Sequence, residues 1–142
     1  MPRDPNCIFC RIIASQIPAA VVYADVHVVA FLDISPLSEG HFLVIPRDHY
    51  VNVVDMPAEE CAQLFLSLPV LGRALLEVTG AAGFNVLLNS GTVAGQVVPH
   101  VHCHLIPRRP GDGLGYRWNA GKYAAGRDAE LAAAYRKFLE QT

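Results

Sequence analysis

The chain has 142 residues, of which 52% are hydrophobic and 17% charged. That length and composition predict one domain with a filled core and exclude a disordered chain. With 11 Lys and Arg against 13 Asp and Glu, the net charge is −2, too little to draw the chain to a nucleic-acid polymer or an anionic membrane. The first element in chain order is a short helical turn from Cys7 to Ile17, stopped by Pro18. Val21 to Tyr23 and His27 to Leu32 read as two strands around a turn at Ala24-Asp25, on their β-branched content. Ser35 to Gly40 is a loop, and His41 to Ile45 a third strand, ended by Pro46.

Ala58 to Thr79 is the main helix. Asp55 or Met56 lies near its N-cap, Pro57 suits its first turn, and Glu59 and Glu60 favour the positive end of its dipole. Leu64, Leu68, Leu71, Leu75 and Val78 recur on one helical face, Pro69 should kink it, and Gly80 or Gly83 should end it. Phe84 to Asn89 and Val97 to Pro107 are two more strands, joined by a loop with Gly91 and Gly95. Pro110 to Gly126 is an extended Gly-rich segment. Asp128 can cap a last helix running to Leu139, with Leu131, Tyr135 and Phe138 on one side. Two tight βαβ repeats are missing, so the order predicts an α+β fold with a mostly antiparallel sheet.

The start, Met1 to Asn6, has no apolar run resembling a secretory leader. The most apolar stretch, Leu64 to Leu76, is broken by Ser67, Pro69, Gly72 and Arg73, so no membrane span is expected. A soluble, cytoplasmic protein is the expectation, with its four cysteines as thiols or metal ligands.

Three of the six histidines fall within five residues, in His100-Val101-His102-Cys103-His104-Leu105-Ile106. Strand side chains alternate faces, so the three imidazoles project together while Val101, Cys103 and Leu105 enter the core. Packing alone explains such a ladder poorly; a metal site or a set of satisfied core histidines is the plainer alternative. Imidazole attacks phosphorus and leaves again, and a second imidazole can hold or deliver a proton. The chemistry that fits is transfer of a phosphoryl or nucleotidyl group through a covalent phosphohistidine.

This strand resembles the His-φ-His-φ-His-φ-φ signature of the histidine triad (HIT) superfamily. Cys7-Ile8-Phe9-Cys10-Arg11-Ile12-Ile13, Phe31 to Pro36, Gly40 to Pro46 and Gly95 to Pro99 are similar to other family stretches, in the family's order. Together they span Cys7 to Arg108, and the chain looks closest to the Hint-like branch of nucleotide phosphoramidases and hydrolases. The resemblance implies a HIT-like fold: a five-stranded, mostly antiparallel sheet with a main helix and a C-terminal helix. It makes residues 1–142 one HIT domain, with a core of about 7–108 and a tail over 109–142.

By resemblance, His102 is the nucleophile, His104 donates to a phosphate oxygen, and His41 stands beside them. Asp33 suits the two hydroxyls of a ribose, although a turn carboxylate before Ser35-Pro36 is its plain structural reading. Ile34 and Phe9 would wall the base. Asn89, Gly95, Gln96 and Val97 would flank the phosphate. Gly95 permits close backbone approach, and Val97 stands where many Hint-like members place a hydroxyl.

Cys7-x-x-Cys10 alone is ambiguous, and no strand precedes it as a thioredoxin-like motif requires. Some family members bind zinc with the residues corresponding to Cys7, Cys10, His49 and His100. Such a Cys₂His₂ set closes the shell of a structural Zn²⁺, with no metal-bound water to attack. The alternative is a pair of buried thiols with His49 capping a turn. Cys61 and Cys103 read as core residues. Arg108-Arg109 is a solvated strand end or an attraction for nucleotide phosphates. Trp118 either staples the tail to the body or covers a pocket, across a dimer if one forms. Homodimers are usual in the family.

The function implied is a hydrolase or transferase that cleaves phosphoramidates, or related bonds, of purine nucleotides and releases a nucleoside monophosphate. A dinucleoside polyphosphate hydrolase is the enzyme alternative. A non-catalytic nucleotide-binding interaction protein, and a redox or zinc-responsive module, are the others. No organic cofactor is expected.

Overall fold

A continuous apolar run predicts a strand buried on both faces, and Phe42–Pro46 (β3) is that strand, with every residue buried. It lies at the centre of a five-stranded sheet, flanked by Val28–Leu32 (β2) and Cys103–Arg108 (β5). Val21–Ala24 (β1) and Gly83–Leu88 (β4) form the edges, in the order β1-β2-β3-β5-β4. All four pairings are antiparallel, as the α+β reading expects. The structure, a computed structural model, describes residues 3–115 and 120–141. Trp118 therefore lies outside the described residues.

The pleat sends alternate side chains to two separate cores. Val28, Ala30, Phe42, Val44, Val101, Cys103 and Leu105 meet Leu64, Leu71 and Leu75 on the face covered by helices. Val29, Phe31, Leu43 and Ile45 meet Cys7, Phe9 and Cys10 of the N-terminal turn on the other. That turn is Ile8–Ile13 (α1), capped by the Cys7 side chain. Each buried Leu or Phe contributes about 1.5–3 kcal/mol of transfer free energy. The two layers hold β3 and β5 rigidly, and those strands carry the site.

The main helix is two helices, Ala58–Leu66 (α2) and Leu68–Thr79 (α3). The interruption falls at Ser67, two residues before Pro69. Pro69 has no N–H for the carbonyl four residues back, and the Ser67 hydroxyl donates to Leu64 O at 2.6 Å. By length and composition Ala58–Thr79 would suffice to cross a membrane; here Leu64, Leu71 and Leu75 pack it on the sheet. Val78, expected on that buried face, is exposed. Gly80, in the left-handed region, ends α3.

One further expectation needs correction. The strand expected over Val97 to Pro107 begins only at Cys103, where its pairing with both neighbours ends, at Val44 of β3 and Leu88 of β4. Residues 97–102 make other backbone bonds instead: His100 N donates to Val98 O nearby and Val101 N to the distant Tyr50 O, both at 2.8 Å. The last helix, Arg127–Leu139 (α4), is present but buries no residue. Tyr135 and Phe138, expected on one side of it, are 70% and 66% exposed.

Candidate active site and metal centre

The alternation that puts Val101, Cys103 and Leu105 against the helices puts His102 and His104 on the α1 face of the sheet. His41, one residue before β3, reaches the same face. Because Leu43 pairs with His104, His41 lies diagonally across from it, within reach of a long side chain. The rings of His102 and His104 are 5.0 Å apart and those of His41 and His104 5.1 Å. Phe9 stands edge-on to His102 at 5.2 Å and to His100 at 5.8 Å, which fixes α1 over the histidines.

A cavity of about 420 Å³ opens here. Phe9, Asp33, Ile34, Gly95, Val97, His102 and His104 are among its lining residues, so seven of the site residues expected from the sequence share one space. Ile34 and Val97 line its mouth, 96% and 88% exposed. Ile12, Ile17, Pro18 and Leu43 extend the wall. None of the four was expected to line a site, although Ile12 and Leu43 lie within stretches that resemble the family.

Hydrogen bonds assign the imidazole protons. His102 Nδ1 lies 2.7 Å from His100 O. A carbonyl only accepts, so Nδ1 carries the hydrogen and Nε2 keeps a lone pair. His41 Nδ1 accepts from Leu37 N at 3.0 Å. Its hydrogen is therefore on Nε2, and it donates to His104 Nδ1 at 2.9 Å. That leaves His104 with its hydrogen on Nε2. The site thus pairs one imidazole with a free lone pair and one with a free N–H.

Burial, with His102 and His41 close by, pushes His104 down to about 4. Burial also lowers His41, against an upward pull from Asp33. Both are therefore neutral at pH 7. Asp33 Oδ1 accepts from Ser35 N at 2.8 Å, and Oδ2 lies 3.6 Å from His41 Nε2. Asp33, His41 and His104 also form a potential metal-ligand group. The proton assignment argues against it: His41 Nε2 carries a hydrogen and has no lone pair to give.

The second histidine set fits a metal ion. A tetrahedral Zn²⁺ with S and N ligands has ligand–ligand edges of about 3.3–3.8 Å, from its ~2.3 Å Zn–S and ~2.0–2.1 Å Zn–N bonds. His49 Nδ1 and His100 Nδ1 are 3.2 Å apart. Cys7 Sγ–His100 Nδ1 and Cys10 Sγ–His49 Nδ1 are both 3.4 Å, and Cys10 Sγ–His100 Nδ1 is 3.6 Å. His100 Nε2 donates to Pro46 O at 2.9 Å, so its Nδ1 presents a lone pair to the group. Asp4 Oδ2 stands 4.0 Å from His49 Nε2, a carboxylate behind a ligating imidazole. Backbone N–H groups of Asp4 and Cys10 point at Cys10 Sγ and Cys7 Sγ, at 3.4 and 3.5 Å. Two lone pairs and two sulfurs converge in a buried space with N–H donors behind the sulfurs, which is the chemistry of a cation site. Cys103 is different: burial pushes its thiol up to about 12, an inert core residue.

Asn89 and Gln96 are not among the cavity's lining residues. Asn89 Nδ2 donates to Gly95 O at 3.4 Å. Gln96 is buried and spent on backbone: Nε2 donates to Val51 O and Val98 O at 2.6 and 3.1 Å, and Oε1 accepts from Gly91 N at 2.8 Å. Both shape the loop that carries Gly95 and Val97. Sequence reasoning missed Leu37 N, Pro46 O and His100 O, because backbone groups carry no residue-type signal. Arg108 is tied to Asp112 at 2.8 Å and to Asn85 at 2.7 Å, away from the cavity.

Residues 14–111 match the HIT domain family model. A protein named hit from Bacillus subtilis is 50% identical over 80% of this chain and 79% of its own. An adenosine 5′-monophosphoramidase of Schizosaccharomyces pombe is 40% identical over 80% of this chain and 83% of its own. The crystal structure of a Streptococcus mutans protein superposes with a TM-score of 0.92 at 40% identity, covering 96% of this chain and 87% of that one. A Zn-bound histidine triad family protein from Mycobacterium smegmatis gives 0.74 at 37% identity, covering 91% and 97%. Family model, relatives, antiparallel five-stranded sheet and imidazole cluster agree: this chain belongs to the HIT domain family.

Proposed function

We propose that the chain is a nucleotide hydrolase that releases a nucleoside monophosphate through a covalent nucleotidyl-histidine at His102. The observation that carries this reading is the His102 Nδ1–His100 O bond of 2.7 Å, which leaves the lone pair on Nε2 of a ring that lines the cavity. Nε2 attacks phosphorus, the bond to the leaving group breaks, and its electron pair departs with that group, which takes a proton from solvent. Water then adds to phosphorus. The P–Nε2 bond breaks, the pair returns to Nε2, and the water proton goes to solvent. His104 aims its Nε2–H at charge developing on a phosphate oxygen, where a placed donor is worth about 10²–10³ in rate. Asp33 accepts from the ribose hydroxyls, and Phe9, Ile34 and the wall beyond hold a purine base.

Phosphoramidates, with a P–N bond, are the proposed substrates, in keeping with the name of the Schizosaccharomyces pombe relative. His102→Ala should abolish turnover of adenosine 5′-phosphoramidate. Mass spectrometry of quenched wild type should find an adenylyl adduct on the peptide holding His102. Undiminished turnover by the variant would sink the reading.

Cys7, Cys10, His49 and His100 would hold a structural Zn²⁺ that ties the N-terminal turn to the sheet, supported by the tetrahedral edges and the Zn-bound relative. Metal analysis of protein purified without chelators should find one zinc per chain. A cytoplasmic setting goes with this, since thiols persist where the compartment is reducing.

We also propose a homodimer. Edge strand β4 leaves Val86 and Leu87 exposed, α2 and α3 leave Leu66 and Val70 exposed, and α4 carries Tyr135 and Phe138 outward. The Streptococcus mutans match spans too much of the chain to leave α4 out. A second copy of the chain is the proposed partner for these exposed apolar positions. Light scattering should give twice the chain mass; a monomer at micromolar concentration would refute this.

A further inference from the structure

The His41 Nε2 hydrogen has two acceptors. His104 Nδ1 is at 2.9 Å and Asp33 Oδ2 at 3.6 Å. His41 cannot supply a second hydrogen, because Nδ1 is occupied as the acceptor of Leu37 N–H. Nor can bulk water satisfy it, since the side chain is 2% exposed. The carboxylate is the stronger acceptor by charge. It is also adjustable: only Oδ1 is anchored, by Ser35 N–H, and the side chain opens to the cavity. A small rotation toward His41 would take the hydrogen from His104 and leave that ring unheld.

We infer that Asp33 is a positioning residue as well as a ribose ligand: when its carboxylate takes the diol, the single His41 Nε2 hydrogen is left to His104, which is then locked as an N–H donor to the phosphate. This rests on the nucleotidyl reading above. Its content is new in one respect: binding energy at the sugar is converted into order at the reacting centre, so the sugar hydroxyls act on rate and not on affinity alone. The upward pull of Asp33 on both His41 and His104 shows that the carboxylate is felt along the whole relay.

The test compares adenosine and 2′,3′-dideoxyadenosine phosphoramidates under single turnover at saturating enzyme. In wild type the dideoxy substrate should react about tenfold more slowly, beyond any rise in KM, as for partial loss of an oxyanion donor. In Asp33→Asn, where no anion competes for the hydrogen, the two substrates should react within about twofold of each other. A dideoxy penalty confined to KM in wild type, or the same rate penalty in Asp33→Asn, overturns the inference. A spectroscopic arm uses only wild type. The His104 Nδ1 nitrogen resonance should move upfield, as for a stronger accepted hydrogen bond, with adenosine monophosphate and not with its dideoxy analogue. Equal shifts overturn the coupling. Turnover that does not require His102 would instead defeat the nucleotidyl reading, and the resonance comparison would still judge the relay.

Discussion

Replacing Gly40 with Ala tests how the turn before β3 places His41. Gly40 has φ +97, which an L side chain adopts at about 1–2 kcal/mol. A Cβ there would meet Thr79 Cγ2 at 2.5 Å and Pro107 Cγ at 3.5 Å. Thr79 cannot simply rotate away: its hydroxyl donates to Leu75 O at 2.7 Å and accepts from Ala81 N at 3.1 Å. Relieving that overlap costs about 1–3 kcal/mol more. Gly40→Ala should therefore destabilise by about 2–5 kcal/mol in urea unfolding, as a lower midpoint with an unchanged slope. Gly80→Ala is the control. Its φ is +67 but nothing lies within 4 Å, so only the backbone strain of about 1–2 kcal/mol is expected. The folded fraction of Gly40→Ala should also lose turnover, because the Leu37–His41 bond closes this turn. A loss no larger than that of Gly80→Ala would refute the reasoning.

Three other outcomes follow from the same contacts. Gln96→Ala removes three hydrogen bonds to backbone from a buried side chain; it should cost about 2–4 kcal/mol and impair turnover, and a neutral effect in thermal unfolding would contradict its assigned role. Cys10→Ser should lower bound zinc well below one equivalent and reduce stability by several kcal/mol, and full metal content by elemental analysis would count against the proposed centre. His104 is pushed from 6.5 down to about 4, so as pH falls the unfolded chain takes the proton first. Its contribution is complete above about 6.5 and lost toward 4, a change of about 2–3 kcal/mol; His104→Asn should flatten that part of the stability–pH curve, and an unchanged slope would contradict the burial argument.

What the sequence made legible is local. The two-residue alternation around His102 put Val101, Cys103 and Leu105 in one core and left His102 and His104 facing the other way; the pleat accounts for Cys103 to Leu105, while Val101 and His102 keep the alternation just before β5 begins. The limits of that strand were not legible. β5 starts at Cys103, where its pairing with Val44 of β3 ends, 59 residues away in the chain. The interruption expected from Pro69 is present, but its position at Ser67 was not legible, since the Ser67 hydroxyl bond to Leu64 O helps close that turn. The 3.6-residue pattern of α4 gave a helix but not what covers its face. Of the site, the side chains came from the resemblance. Their proton positions came from backbone groups, which every residue possesses and no motif can flag.

His100 serves two sites at once. Its ring turns to the sulfur ligands while its carbonyl accepts the His102 Nδ1–H. In the proposed reading, the nucleophile hangs from the main chain of a metal-ligating residue. Filling the proposed centre with a larger, softer ion such as cadmium in place of zinc, with longer bonds to sulfur, would widen the tetrahedron and carry that carbonyl with it. Heavy-metal intoxication of this protein would then register as a slower reaction at a phosphorus atom that the ion never approaches.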